Sequence, residues 1–457
     1  MPPQLALLLT SAFIAFLFVR DHRERPAITG ALWIPLLWLL IIGSRNVSEW
    51  VGFGGATSLT DGSPLDSTIY LSLELAGLFV LYRRRVSLSD VVSRNPWLAL
   101  FFVFGALSIF WSDFPFVAAK RWTKALSHPI MLLVVATEPD PREALVRLMK
   151  RAAYVLLPLS VVLIRYYPDL GRVYDPWSGA ASNNGVATSK NGLGYDCLLL
   201  GFFFSWYFLT KLRSPNAPGR RKELYLSAAL LALIGWLLVL SQSATAFTVL
   251  FLGIFIVLLF DWRLVDATNA GRILIVGLFL LCSIQYLFGD AVIEALGRDP
   301  TLTGRTELWQ HALSLNVNPI VGTGFESFWL GERLDRLYAI YWWRPNQAHN
   351  GYLETYLNLG LIGVILVAGC IIFGFRRAVR LLRTDFEFAR FAIAFLAMFV
   401  MYNFTEAAFK GLHPIWFAFY IAALDYRRAL PAAAKAPLLQ SSKNAPSRYP
   451  RWAGRPS

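Results

Sequence analysis

The sequence predicts an all-α fold: a polytopic α-helical membrane protein with about 12 or 13 transmembrane helices and one long, partly helical extracytoplasmic loop. Three observations predict it. Hydrophobic residues make up 56% of the 457-residue chain and charged residues only 16%, too few to clothe a soluble surface of that length. Apolar runs able to cross about 30 Å of hydrocarbon, at about 1.5 Å per helical residue, recur from one end to the other. The alternating strands of about ten residues that a membrane barrel requires are absent.

In chain order the candidate spans lie near residues 4 to 19, 27 to 43, 67 to 82, 96 to 112, 126 to 137, 152 to 167, 191 to 210, 224 to 241, 244 to 260, 273 to 289, 352 to 375, 388 to 404 and 412 to 425, the fifth being short. The first run has no basic stretch before it and no small-residue cleavage site after it, so it reads as a retained helix rather than a cleaved signal. Cys197, Cys282 and Cys370 all fall inside apolar runs, where a packing role outweighs a disulfide or a metal. Alternate connections are basic: Arg20, Arg23 and Arg25; Arg83, Arg84 and Arg85; Lys211, Arg213, Arg220, Arg221 and Lys222; Arg376, Arg377, Arg380 and Arg383. The positive-inside rule sets these in the cytoplasm. The connections at 44–66, 113–125, 168–190, 241–243, 290–351 and 405–411 then face outward, with the amino terminus outside and the tail inside. Residues 1–426 are expected to form a single transmembrane domain and residues 427–457 a basic, disordered cytoplasmic tail that lies against membrane lipids. These positions explain the net charge of +14 without nucleic acid as a partner.

The connection at 290–351 is too long for a mere tether, and long loops are functional or disordered. Within it, Thr303 to Leu313 reads as a helix: Thr303 or Gly304 caps it, Glu307 sits in its first turn, and Leu308, Trp309, Ala312 and Leu313 form an apolar stripe. Asn318-Pro319 stops it. Arg305 falls at the first helical position, where its guanidinium and the free backbone N–H groups suit one anion such as a phosphate; a solvated or loop-pairing arginine is the alternative. His349 precedes the span that begins at Tyr352. A neutral imidazole at that helix terminus suits a proton acceptor, and a hydrogen-bonded filler is the plainer role. Trp329, Tyr341, Trp342 and Trp343 form an interfacial aromatic belt, offer faces on which sugar rings stack, or do both. Lys190 and Asn191 open another outward helix, and Ser241-Gln242-Ser243-Ala244-Thr245 is a polar hinge; either segment could be only a turn. Glu354, one turn after His349, orients the imidazole or the acceptor, or is a first-turn helix acid. No two of Glu307, Glu326, Glu332 and Glu354 make a metal-ligand motif, so no metal is expected.

Lys190-Asn191-Gly192-Leu193-Gly194, the 241–245 hinge, Gly304-Arg305-Thr306-Glu307-Leu308-Trp309, the Pro319 to Phe325 turn with Gly322 and Gly324, and His349-Asn350-Gly351-Tyr352-Leu353-Glu354 follow one another in a known order. The chain resembles the O-antigen ligase and polymerase superfamily, and within it the exopolysaccharide-polymerisation branch, over roughly residues 180–375. The resemblance implies a metal-independent, cofactor-free membrane glycosyltransferase of the outer face of the bacterial inner membrane. Its substrates would be a polyprenyl-pyrophosphate-linked glycan donor and a glycan or lipid A core acceptor, with polysaccharide assembly proteins as further partners. By motif, His349 is similar to the family's essential loop histidine and Arg305 to its pyrophosphate-facing arginine. Asn191, Ser241, Ser243, Glu354, Trp342 and Trp343 are the candidate substrate-binding residues. One departure stands at Ala244, where ligases of this superfamily often carry an arginine; Lys190 is the candidate to replace it. Attack opposite the leaving group would invert the anomeric centre, with cations stabilising the charge that builds on the pyrophosphate.

Two other classes compete with this reading. A lipid-linked glycan flippase or solute transporter would use ionisable groups deep in the spans, and Glu74, His128, Arg165, Asp196 and Glu406 are candidates. A noncatalytic scaffold of an assembly complex is the third. Polymerase and ligase are not separated by sequence.

Overall fold

The computed structural model describes residues 1–24, 26–52, 63–174, 181–216, 219–261, 305–315 and 317–426, with residues 269 and 277. The expected span at 273–289, Cys282, the caps at Thr303 and Gly304 and the 427–457 tail lie outside the described residues.

Every apolar run within the described residues folds as helix. In chain order the principal helices are α1 (Pro3–Arg23), α2 (Trp33–Ile42), α3 (Pro64–Arg83), α4 (Pro96–Leu107), α5 (Pro115–Ala136), α6 (Pro141–Tyr166), α7 (Lys190–Leu212), α8 (Arg220–Ser241), α9 (Ala244–Asp261), α10 (Arg305–Ser314), α11 (Gly331–Ile340), α12 (Gly351–Leu381), α13 (Phe386–Thr405) and α14 (Pro414–Ala423). Pro64, Pro96, Pro115, Pro141 and Pro414 each stand in a first turn, where the missing N–H costs no hydrogen bond. Among the described residues, six helices are long and apolar enough to cross a membrane, and a seventh if the pair Leu88–Arg94 and Pro96–Trp111, bent by 105°, is one span. The expected 12 or 13 runs therefore divide. At ten residues α2 and α14 reach only about 15 Å, and α5 and α6 carry Lys120, Arg121, Lys124, Arg147, Lys150 and Arg151 along their lengths. A two-stranded antiparallel ribbon, Arg172–Tyr174 with Ala181–Asn183, is an element the apolar pattern does not announce.

The core runs along α13. Phe391 stacks on Phe202 of α7 and Phe395 packs against it at a tilt, and Phe399 stacks on Trp416 and packs against Phe419 of α14. By contrast Leu8, Phe13 and Phe16 of α1 and Leu75 and Phe79 of α3 stay exposed, as lipid-facing side chains do.

Connections expected on one side of the membrane meet one another at one end of the bundle. Arg45 donates to Ala187 O at 3.1 Å, Asn183 to Leu240 O at 3.1 Å, and Arg333 pairs with Asp113 at 2.6 Å. At the other end Arg84 pairs with Glu138 at 2.5 Å, Lys150 with Glu223 at 2.6 Å, and Arg147 and Arg151 share Asp21 at 2.5 and 2.7 Å.

α12 is broken at Gly360, whose φ of +62° no L side chain adopts easily. The 319–324 turn fills the gap. Thr323 N donates to Leu357 O at 3.1 Å, Gly324 N to Asn358 O at 2.9 Å, Leu361 N to Pro319 O at 2.9 Å and Ile362 N to Ile320 O at 3.2 Å. A Cβ on Gly322 would lie 2.4 Å from the Asn358 backbone, so only glycine permits this approach. The 319–324 part of the long loop is thereby anchored into the bundle.

Candidate functional site

α13 ends at Thr405, and the chain turns extended at Glu406, whose carboxylate is a meeting point. His349 Nδ1 lies 3.1 Å from Oε2, Asn191 Nδ2 donates to Oε1 at 3.0 Å, and Arg305 Nη2 stands 3.7 Å from Oε1. Arg305 Nη1 donates to Thr405 O at 2.7 Å. The expected pair of Arg305 and His349 does converge, through an acid that links them. Their side chains are 19% and 22% exposed and that of Glu406 is 10% exposed, so the charges are shielded enough to act on one another yet open to a ligand.

His349 reaches this place through a constrained turn. Its φ is +51°, a left-handed conformation uncommon outside glycine and asparagine. The buried peptide of Ala348 is gripped from both sides, its N–H by a Glu354 carboxylate oxygen and its C=O by Trp309 Nε1 at 2.7 Å. Glu354 also accepts Trp329 Nε1 at 2.9 Å and Asn358 Nδ2 at 3.4 Å. Its carboxylate is therefore spent on the peptide next to the imidazole, not on the imidazole itself. Behind it, Leu308 and Ala312 of α10 pack on Phe328, Leu334, Leu337 and Tyr341, which fixes Trp309. Asn350 caps α12 with bonds of 3.0 Å from both Tyr352 N and Leu353 N. Gly351 is required beside it, because a Cβ there would come within 2.1 Å of Asn403 Oδ1.

Two groups approach His349 Nδ1. Lys410 Nζ donates to Gln347 Oε1 at 2.7 Å, which turns the Gln347 amide nitrogen toward the ring at 3.3 Å. One ring nitrogen either donates or accepts, and the nearer, charge-assisted partner is Glu406. We assign Nδ1–H to Glu406 from this network, which leaves a lone pair on Nε2. Nε2 has no hydrogen-bond partner among the described residues.

The remaining expected residues fall elsewhere. Lys190 is exposed at the first position of α7, while its neighbour Asn191 makes the contact. Ser241 Oγ donates to Leu238 O at 2.7 Å and accepts Ser243 N at 3.3 Å, and Ser243 Oγ accepts Ala246 N at 3.4 Å. Both serines thus bend the backbone around Gln242, whose φ is +52°. From that hinge it is Thr245 that reaches the site, 3.1 Å from the Thr405 hydroxyl. Trp342 is exposed, and Trp343 packs on Tyr341 with ring centroids 5.6 Å apart. Among the described residues no three His, Cys, Asp or Glu side chains cluster as metal ligands. Glu406, Gln347 and Trp309 are the residues the sequence did not single out for this site. The available signal for Glu406 was an acid at the end of an apolar run, in a connection expected to face outward.

Comparison with known proteins bears on the same region. Residues 227–368 match the family described as O-antigen ligase, a stretch that holds the hinge, Arg305 and His349 but neither Asn191 nor Glu406. The exopolysaccharide production protein ExoQ of Rhizobium meliloti (strain 1021) is 32% identical over 298 residues, which cover 61% of this chain and 64% of that protein. The similarity thus spans slightly less than two thirds of the relative's length.

Proposed function

We propose that the chain belongs to the O-antigen ligase/polymerase superfamily, on its exopolysaccharide side, and that it is a membrane glycosyltransferase of surface-polysaccharide assembly. It takes a glycan from a polyprenyl-pyrophosphate carrier and joins it to a sugar hydroxyl at the outer face of the bacterial inner membrane. The observation that carries this reading is the Glu406 carboxylate between His349 and Arg305.

Glu406 holds the Nδ1–H tautomer, so Nε2 accepts the proton of the attacking hydroxyl, as a carboxylate-oriented imidazole does in other enzymes. Arg305 has one donor committed to Thr405 O and a second loosely held at 3.7 Å, so it can turn toward the departing diphosphate. Charge grows on that diphosphate as the anomeric C–O bond breaks, and a fixed guanidinium binds it better then than before. Asn191 and Thr245 hold Glu406 and Thr405 beside them, and Lys190, at the start of α7, is a second cation for the diphosphate. The nucleophile and the leaving group stand on opposite faces of the sugar, so the reaction inverts, without metal. Donor-linked repeat units and a glycan or lipid A core acceptor are its substrates.

The test is transfer by purified protein in lipid with a lipid-linked donor, an acceptor and a chelator. The wild type is expected to form product, and His349→Ala is expected to lose about 10²- to 10⁴-fold in kcat while still inserting. Full activity in that variant sinks the assignment of the base. A transporter reading draws on Asp196 and Glu74, each with a buried carboxylate oxygen that has no hydrogen-bond partner among the described residues. Movement of glycan across proteoliposomes without any acceptor favours that reading instead.

A further inference from the structure

Behind the His349 turn lies a cavity of about 200 Å³ that the catalytic reading does not use. Its walls come from α4, α5, the 325–329 segment, Asn346 and Gln347, α12 and residues 407–410. Most polar groups in these walls are already engaged. Glu354 is held by Ala348 and Trp329, Asn358 takes Phe328 N at 3.0 Å, and Thr355 donates to Gly351 O at 2.8 Å. Three are not. Lys410 spends one of its three N–H donors, on Gln347, and has no carboxylate partner among the described residues. Glu326 accepts Gly411 N through Oε1 at 2.6 Å and leaves Oε2 without a hydrogen-bond partner among the described residues. Asn346 is exposed, with its amide unengaged among the described residues. Glu326, like His349, is held at positive φ, here +47°.

We infer that this cavity, walled by Lys410, Glu326 and Asn346 beside Phe325 and Phe409, is the subsite for one neutral pyranose ring of the acceptor glycan. The inference rests on the transferase reading above. The charge balance selects the ligand: a bare anion meets Glu326, a bare cation meets Lys410 and Arg121, and a polyhydroxylated ring meets donors and an acceptor together. Phe325 and Phe409 line it with aromatic rings, the side chains on which the C–H side of a sugar packs. Size limits it to one ring, since sites for drug-sized ligands run to roughly 300–1,000 Å³. Position assigns it to the acceptor. The 405–411 connection touches Arg305 and Asn191 at Thr405 and Glu406 and lines the cavity at Ala407, Phe409 and Lys410. His349 stands between, with Gln347 of the cavity wall 3.3 Å from its Nδ1. A base between the leaving diphosphate and the incoming hydroxyl is what the displacement needs.

The test uses the full chain in lipid nanodiscs and, as probe, the single repeat-unit oligosaccharide hydrolysed from the producing cell's own polysaccharide. Titration calorimetry is expected to show saturable binding to the wild type, at least 10-fold weaker in Lys410→Met and Glu326→Gln. In turnover both variants are expected to raise the acceptor KM at least 10-fold, and Glu326→Gln, which does not contact the His349 turn, is expected to keep kcat and donor KM within about 2-fold of wild type. Binding without turnover keeps the cavity and removes the transferase. No saturable binding to the wild type, or unchanged binding in both variants, overturns the cavity whatever the turnover. A raised donor KM at constant acceptor KM overturns its assignment to the acceptor.

Discussion

In the network around Asp21 the buried charges are spent on one another, whereas around Glu406 the same residue types leave valences open. Asp21 is 2% exposed and gives one oxygen to Arg147 and the other to Arg151, and Glu138 ties Arg84 to Thr29. Glu406 holds an imidazole by one nitrogen and a guanidinium at 3.7 Å, so Nε2 and part of Arg305 remain to be used. A closed network fastens helices together; an open one is a device for meeting something that arrives. The number of charges does not separate the two ends. What separates them is whether the partners are complete.

Breaking each network should therefore give different losses. Glu406→Gln keeps the size and removes the charge that holds the Nδ1–H tautomer. kcat is expected to fall about 10²- to 10⁴-fold, the range for general-base catalysis, with thermal stability nearly unchanged; a kcat within 3-fold of wild type would show that Glu406 does not position the base. At the closed end Asp21→Asn leaves Arg151 without its carboxylate. Loss of one member of a buried pair costs about 3–5 kcal/mol, to be read as a lower unfolding temperature in detergent, with kcat per folded molecule unchanged.

Helix positions were legible because each apolar run signals its own burial locally. The count of crossings was less so: residue pattern locates α2 and α14, but ten residues do not span, and the charges of α5 and α6 are tolerated only because the folded chain pairs or shelters them. The break at Gly360 was hidden, since Leu357 to Gly363 reads as continuous apolar helix and the turn that fills the gap starts near Pro319. In the site, Arg305, Asn191 and His349 stood out as polar residues at helix starts. Glu406 did not, for its partners His349 and Asn191 lie 57 and 215 positions away, and Arg305 bonds the neighbouring Thr405 from 100 positions away, so none leaves a local periodicity.

The clamp on Ala348 is a closed network within the open end, and the Gly351 contact tests how rigid it must be. Gly351→Ala puts a methyl group within 2.1 Å of Asn403 Oδ1, which itself accepts Ala408 N at 2.9 Å. Overpacking of this kind costs about 1–3 kcal/mol, and the displaced junction lies next to His349, so stability and kcat are expected to fall together. A variant that loses stability alone would place the tolerance of the site above the size of that shift.

The smallest effect, and the sharpest test of the clamp, is Trp309→Phe. Phenylalanine keeps the ring packing against the α10 core but removes the N–H that donates to Ala348 O. A single buried hydrogen bond is worth about 1 kcal/mol net, so the unfolding temperature should drop only slightly. His349 pays more, because its φ of +51° persists only while its neighbour's peptide is gripped from both sides. Relaxation of that turn moves Nδ1 off Glu406 and lets Nε2 point elsewhere. kcat is therefore expected to fall several-fold beyond the change in folded fraction, with the KM of either substrate unaffected. If kcat instead tracks the folded fraction, the Glu354 side of the clamp holds the turn alone, and the line between the two networks runs through Ala348 N–H rather than through its carbonyl.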